Sequence, residues 1–386
     1  MNSTTTQPSG SARPGRKGNA PLSRTSVSRE TRGAEGATEQ KPAITALSED
    51  ELAVFLASSG QPAFRAKQLW QWLWVHNASS FDEMTNLPRA LRKQLAAAFR
   101  IPTASVSARQ VSSDGTRKYL VTFEDGVSVE TVGIPSHDGA RLTVCVSTQA
   151  GCAMGCIFCA TGLHGFTRSL CAFEIYRQVI TVQDDFDQRV SNVVFMGQGE
   201  PFANYDEALQ ALRLLNDART LGIGARHITV STCGLVDGIR RFSLEPEQFT
   251  LAVSLHSAVQ RTRDQLMPGV RAHTLEELKH ALKAYGDATK RRPTLEYALM
   301  HEVNDDDEHL LALENFCSNM LCHVNLISLN PVLAANGPSA MRPSNRMQHF
   351  HDALNRRGIE TSVRSSRGQD IDGACGQLKQ RLDGQP

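Results

Sequence analysis

The sequence predicts an α/β fold: a partial (β/α)6 barrel with a small N-terminal helical domain and a β-hairpin extension. Three observations point there. Six short β-type runs alternate with helical segments from about residue 142 onward, the pattern of a parallel sheet with outer helices. A hairpin pattern precedes them, and a cluster of helical periodicity precedes the hairpin. The polar and cysteine motifs fall just after the strands, where open and barrel-like α/β folds do their chemistry.

Taken in order, residues 1–43 are rich in Ser, Thr, Gly, Pro and Arg and poor in large apolar side chains, which predicts a disordered tail. Its arginines, Arg13, Arg16, Arg24, Arg29 and Arg32, suit either RNA or plain solvation. Residues 44–103 read as a helical accessory domain that binds RNA, and 104–386 as the catalytic core. In the helical domain, Ser48-Glu49-Asp50-Glu51 is a capping box opening a helix with Leu52, Phe55 and Leu56 on one face. Ala66, Leu69, Trp70, Leu73 and Trp74 mark a second helix, and Pro88 suits the first turn of a third lined by Leu91 and Leu95. The tryptophans read as core, and Arg65, Lys67, Arg89, Arg92 and Lys93 as a basic outer face.

Runs 118–123 and 127–134 predict the hairpin around Glu124-Asp125-Gly126. Strands follow at 142–146, 192–196, 227–231, 250–254, 294–300 and 324–329. Helices fall near 172–183, 205–219, 235–242, 274–290, 306–320 and 343–357.

A formal net charge of +1 leaves no global field for nucleic acid, so RNA contact must come from local clusters. Candidates are Arg240-Arg241, Lys290-Arg291-Arg292, Arg356-Arg357, Arg364 and Arg367. The start has no apolar core of a signal peptide and no run spans a bilayer, so a cytoplasmic, non-membrane protein is expected. Nine cysteines in such a chain point to metal or catalytic thiols rather than structural disulfides.

Three of them, Cys152, Cys156 and Cys159, stand as Cys-x3-Cys-x2-Cys in a glycine-flanked loop. Three thiolates so spaced can hold a cubane [4Fe–4S] cluster and leave one iron open. A closed zinc site needs a fourth ligand, for which Cys145 and Cys171 are the nearest thiols. A redox pair from Cys156 and Cys159 leaves Cys152 unexplained. In Met196-Gly197-Gln198-Gly199-Glu200-Pro201 the glycines admit a ligand to the backbone, and Glu200 offers a carboxylate to an ammonium group. Ser231 and Ser254-Leu255-His256 end the third and fourth barrel strands and offer hydroxyls and backbone to a ribose or carboxylate. Asn330 ends the sixth and suits an adenine edge.

These motifs, with Ala160-Thr161-Gly162, Phe64-Arg65-Ala66-Lys67-Gln68 and the run Arg367-Gly368-Gln369-Asp370-Ile371-Asp372-Gly373-Ala374-Cys375-Gly376, resemble the RlmN/Cfr family of radical S-adenosylmethionine (SAM) RNA adenine methyltransferases. The resemblance runs from about residue 44 nearly to the end and lies nearer RlmN than Cfr. It implies a [4Fe–4S] cluster on Cys152, Cys156 and Cys159, and two SAM per turnover contacted by Gly199, Glu200, Ser231, Ser254, Leu255, His256 and Asn330. It also implies Cys375 as methyl carrier, Cys145 as the thiol that resolves the protein–RNA link through a transient disulfide, and Glu130 as proton acceptor. The implied substrates are 23S rRNA and tRNA, methylated at adenosine carbon 2 by a monomer fed by an external one-electron reductant. A carbon-8 enzyme of the Cfr type and a non-catalytic zinc-stabilised RNA-binding protein are the alternatives. Gln198 and Cys233 depart from the usual pattern, the 136–140 loop is slightly long, and Cys171, Cys233, Cys317 and Cys322 match no role and read as structural.

Overall fold

The computed structural model describes residues 41–330 and 341–378. Most of the expected tail, and Pro331, lie outside the described residues. From Pro42 the chain is already paired: Arg100 N donates to the Pro42 carbonyl at 3.0 Å, and Ile44 N to the Arg100 carbonyl at 2.9 Å.

Helices α1 (Glu49–Ser58), α2 (Phe64–Trp74) and α3 (Arg89–Ala98) form the helical layer. The capping box forms as expected, with Glu51 N donating to Ser48 Oγ at 3.2 Å and Ser48 N to Glu51 Oε2 at 2.8 Å. Leu52, Leu56, Leu69, Leu73, Leu91 and Leu95 are buried together, as their periodicity requires. Trp74 is buried against a later helix, α5, described below.

Strands β1 (Ala104–Val111), β2 (Arg117–Phe123), β3 (Ser128–Pro135) and β4 (Leu142–Cys145) form an antiparallel meander. A separate two-stranded ladder follows, β5 (Gln149–Gly151) with β6 (Phe166–Ser169), flanking α4 (Ala160–His164). Next come α5 (Ala172–Phe186), β7 (Asn192–Phe195), α6 (Tyr205–Asn216), β8 (Ile228–Thr232), α7 (Val236–Phe242) and β9 (Thr250–Ser254). The chain then runs through α8 (Gln260–Leu266), α9 (Leu275–Thr289), β10 (Thr294–Leu299), α10 (Asp307–Cys317), β11 (His323–Ser328), α11 (Met347–Arg356) and β12 (Thr361–Arg364).

The main sheet has ten strands in the order β1-β2-β3-β4-β7-β8-β9-β10-β11-β12, parallel from β4 onward. The six expected βα units are all present, and β1 and β12 are the edges that leave the barrel open. Besides the short β5 and β6, two strands of the main sheet, β1 and β12, were not anticipated. In β1, Ser105, Ser107, Arg109 and Gln110 give no apolar alternation, because this edge strand is largely exposed. The four-residue β12 is short and partly polar, and only its pairing with β11 defines it.

Trp74 joins the two layers. It meets Tyr176 edge-on at 5.4 Å, and the Tyr176 hydroxyl donates to the Trp74 carbonyl at 2.6 Å. Replacing Trp74 with Ala should cost about 3–5 kcal/mol of stability, the usual loss for a buried large aromatic. Tyr176→Phe, which removes only a hydrogen bond, should cost about 1 kcal/mol. Urea unfolding of the two variants checks both values.

Candidate active site

Because the strands from β4 onward are parallel, their carboxyl ends open on one side, where a cavity of about 360 Å³ lies. Each strand contributes: Cys145 from β4, Phe195 from β7, Ser231 from β8, Ser254 from β9, Glu296 from β10, Ile327 from β11 and Arg364 from β12. Cys152, Cys156, Cys159, Gly199, Glu200, His256, Asn330 and Cys375 join them on its walls.

The cysteine loop leaves β5 and is pinned from outside. Cys152 N donates to the Gly165 carbonyl at 2.8 Å, Ile157 N to Leu266 at 3.1 Å, and Gly269 N to Met154 at 2.9 Å. Gly162 passes so near that a Cβ there would lie 2.9 Å from the backbone N and O of Cys156. Burial raises the Cys152 thiol to about 11 and raises Cys156 further, with neighbouring thiolates and Glu200 adding to both. Among the described residues no three ligand side chains already stand gathered at metal-binding spacing. The donor set nevertheless fits a cationic iron–sulfur cluster: three thiols face one cavity, and a cation there offsets the burial that raises Cys152 and Cys156. Cys171, one suggested fourth zinc ligand, caps α5 and is exposed away from this cavity. Cys145 is nearer in charge to Cys375 than to the triad.

Gly199 has φ +100°, and a Cβ there would lie 2.6 Å from Gln149 Cβ, so only glycine carries the chain past β5. Glu200 follows it, buried, with its own N donating to Gln149 Oε1 at 2.9 Å. Its Oε1 accepts from Phe202 N at 2.9 Å and its Oε2 from Cys233 N at 2.7 Å. Burial raises its pKa against those bonds. The side chains of Cys233 and Thr232 also bond to this carboxylate, which favours its charged form.

His256 is buried with φ 51°. Its Nδ1 accepts from Ala298 N at 3.0 Å, and burial with Arg263 nearby lowers the ring to about 3. The ring is neutral, in keeping with an expected role through the backbone alone. Leu255 buries its side chain in the hydrophobic core, and its N donates to the Glu296 carbonyl at 3.0 Å. Asn330 is engaged differently from an open adenine contact. Its Nδ2 donates to the Cys375 carbonyl at 3.2 Å and its Oδ1 accepts from Gln369 Nε2 at 2.7 Å.

The cysteine-bearing end of the chain is strapped over the mouth. Asp370 accepts from Ser112 Oγ at 2.5 Å and Ser113 N at 3.0 Å, in the β1–β2 turn. Asp114 accepts from Arg367 Nε and Gly368 N, each at 3.0 Å. On the other side Ala160 N donates to the Gly376 carbonyl at 2.8 Å, one residue beyond Cys159. Glu130 is buried rather than solvent-facing and does not line the cavity. It pairs with buried Lys118 at 3.0 Å, whose Nζ also reaches the Asp372 carbonyl at 3.4 Å.

Sequence reasoning missed Glu296. It lies between buried Leu295 and Tyr297, a carboxylate on the lumen side of a mostly apolar strand, and that alternation was the available signal. Arg364 and Arg367, named as RNA contacts, line the cavity itself. Among the other arginines, Arg240, Arg241, Arg292 and Arg357 are paired with Asp237, Asp206, Glu360 and Glu314. Cys233, read as structural, also lines the cavity.

A three-cysteine loop at the mouth of an open parallel barrel, beside a Gly-x-Gly-Glu turn, defines a radical-SAM enzyme, which works with a [4Fe–4S] cluster and SAM. The radical-SAM superfamily model matches residues 146–313, and the model of the ribosomal RNA large subunit methyltransferase N-terminal domain matches 43–101. The probable dual-specificity RNA methyltransferase RlmN of Staphylococcus haemolyticus is 45% identical over 343 residues, 88% of this chain and 93% of that protein. Its counterpart in Geobacillus thermodenitrificans is 45% identical over 341 residues, with the same coverage. A solved radical SAM methyltransferase from Sphaerobacter thermophilus superposes with a TM-score of 0.81 at 42% identity, covering 88% of this chain and 99% of that one. The chain belongs to the RlmN family of radical-SAM methyltransferases.

Two outcomes follow from the electrostatics. Burial would raise the Asp114 carboxyl, but hydrogen bonds from Thr116 and Gly368 outweigh it and hold it well below its ordinary 3.8. A lowered folded value stabilises the strap above pH 3.8, and that contribution is lost as pH falls through the folded value. Hydrogen exchange across 367–376 should therefore stay slow on acidification to about pH 4 and quicken below it, while Asp114→Asn quickens it at pH 7. Cys145 is pushed up to about 12 by burial and by Cys375, against Arg364. Its alkylation by iodoacetamide should rise about tenfold per pH unit between 7 and 10, and Arg364→Met should slow it at fixed pH.

Proposed function

We propose that this enzyme methylates carbon 2 of adenosine in 23S rRNA, and of the adenosine 3′ to the anticodon in tRNA, in the cytoplasm. The names of its relatives, dual-specificity RNA methyltransferases, support an RNA substrate of two kinds. The observation that carries the chemistry is the meeting of Cys145 and Cys375 in the cavity walled by Cys152, Cys156 and Cys159, near enough that charge on Cys375 raises the Cys145 thiol.

Carbon 2 lies between two ring nitrogens and is electron-poor, so it does not attack SAM's electrophilic methyl. Cys152, Cys156 and Cys159 would hold the cluster, which would supply the electron for reductive cleavage of SAM to methionine and a 5′-deoxyadenosyl radical. Cys375 first loses its proton and accepts a methyl group from one SAM through its sulfur, releasing S-adenosylhomocysteine. A second SAM then serves to remove one hydrogen atom from that methyl, and the carbon, still on Cys375 Sγ, bonds to the base. As the base regains aromaticity one proton leaves to Glu130, whose carboxylate Lys118 holds beside the cysteine segment, and one electron would pass to the group held by Cys152, Cys156 and Cys159. Cys145 then gives up its proton and bonds through Sγ to Cys375 Sγ, the carbon–sulfur bond breaks, and the carbon takes up a proton and remains on adenine as a methyl group. An external reductant reopens the disulfide. Glu200 suits the SAM ammonium, and Ser231, Ser254 and the backbone of His256 its ribose and carboxylate. The Asn330 amide holds the Cys375 loop against the pocket. The target adenosine must be unstacked to reach so enclosed a site.

Reconstituted enzyme with SAM, a one-electron reductant and unmodified rRNA is expected to yield 2-methyladenosine by nucleoside mass spectrometry. A product methylated only at carbon 8 would overturn the assignment. Cys375→Ala should abolish transfer, whereas Cys145→Ala should leave protein covalently linked to RNA. Glu130→Gln should lower product by about 10²-fold, the usual contribution of a general base, while Cys375 still takes up a methyl group.

A further inference from the structure

The sheet has a second cavity, of about 590 Å³, at the amino-terminal end of β11 and so about 20 Å from the reaction cavity at that strand's other end. Two cysteines line it. Cys317 is the last residue of α10, and Cys322 immediately precedes β11. Between them Asn319, at φ 57°, turns the chain back, and Met320 N donates to the Cys317 carbonyl at 3.2 Å. Both cysteines are free and buried, and the turn brings them to the wall of the same cavity. Such proximity is what disulfide closure requires.

The surroundings make the two sulfurs unequal. Arg292 lines the same cavity, and its positive charge favours the thiolate of Cys322 but not that of Cys317. Lys279 favours both. Lys279 is fixed there by its bond to the Asn315 carbonyl at 2.9 Å. The rim carries both signs of charge, Arg292 and Arg357 with Glu360 and Glu314.

We propose that Cys317 and Cys322 form a thiol–disulfide exchange site for small zwitterionic disulfides of the glutathione class, separate from the Cys145–Cys375 pair. Cys322, as thiolate, attacks one sulfur of the small disulfide. The disulfide bond breaks, one small thiolate leaves and is protonated, and a mixed disulfide remains on Cys322. Cys317 gives up its proton and attacks Cys322 Sγ, expelling the second small thiol. Two protein thiols are oxidised, and one small disulfide is reduced to two thiols. Cysteine oxidation elsewhere in the chain is not needed, so the inference stands whether or not the carbon-2 assignment does.

The test equilibrates anaerobic, cluster-loaded full-length enzyme with glutathione disulfide and glutathione at several ratios, followed by acid quenching, differential alkylation and peptide mass spectrometry. The expected result is joint loss of Cys317 and Cys322 from alkylation as one linked peptide, with the linked fraction following a two-electron ratio. In Cys317→Ser, glutathione should accumulate on Cys322. In Cys322→Ser, Cys317 should take up about tenfold less. The inference is overturned if both thiols remain fully alkylated at every ratio while a urea-unfolded control reacts, or if the two single variants are glutathionylated equally. Thermal melting of each variant confirms that the comparison is made on folded protein.

Discussion

Seven strands running in one direction are the constraint on which the site depends. A parallel ladder aligns every carboxyl end on one side, so residues as far apart in sequence as Cys145 and Arg364 reach a single cavity. Register then decides which side chains face inward. Glu296 pairs with Asn325 and Asn325 with Ser362, and their side chains are linked in the same order, at 2.8 and 3.2 Å. A one-residue slip in any of these strands would turn that polar row into the apolar layer.

Enclosure shapes the chemistry as much as position does. The same desolvation that raises the thiols of Cys145, Cys152 and Cys156 makes a resident cation unusually favourable beside them. It also keeps His256 neutral, leaving that ring as a hydrogen-bond acceptor that fixes the backbone of β10. Arg364 is the positive group facing both Cys145 and Cys375, and it lowers the cost of forming either thiolate. A site built this way suppresses thiol reactivity until a charged partner arrives.

The antiparallel meander is part of the same machine. Its β1–β2 turn presents Ser112, Ser113 and Asp114 to a segment more than 250 residues later, and Lys118 on β2 joins Glu130 to the Asp372 carbonyl. Cys375 is therefore held between the meander, the Asn330 amide and the start of α4 beside Cys159. Contacts to short side chains and backbone, rather than a packed core, hold this segment. Such an arrangement suits a sulfur that must face first one partner and then another.

The sequence by itself determined the alternation of strands and helices, the capping box at Ser48, the three-cysteine loop and the glycines that let it turn, because each is set by local spacing and local backbone preference. It also carried the family likeness that the relatives bear out. Packing between distant segments set the rest: Arg364 and Arg367 face the cavity, Glu130 is buried on Lys118, the Asn330 amide holds the Cys375 loop, and Cys317 and Cys322 line one cavity. β1 and β12 were hidden for the same reason: an edge strand has one partner and little apolar burial, so its identity lies in a distant ladder. Spacing along a chain fixes which residues can share a face, whereas burial and charge depend on what other segments bring to that face.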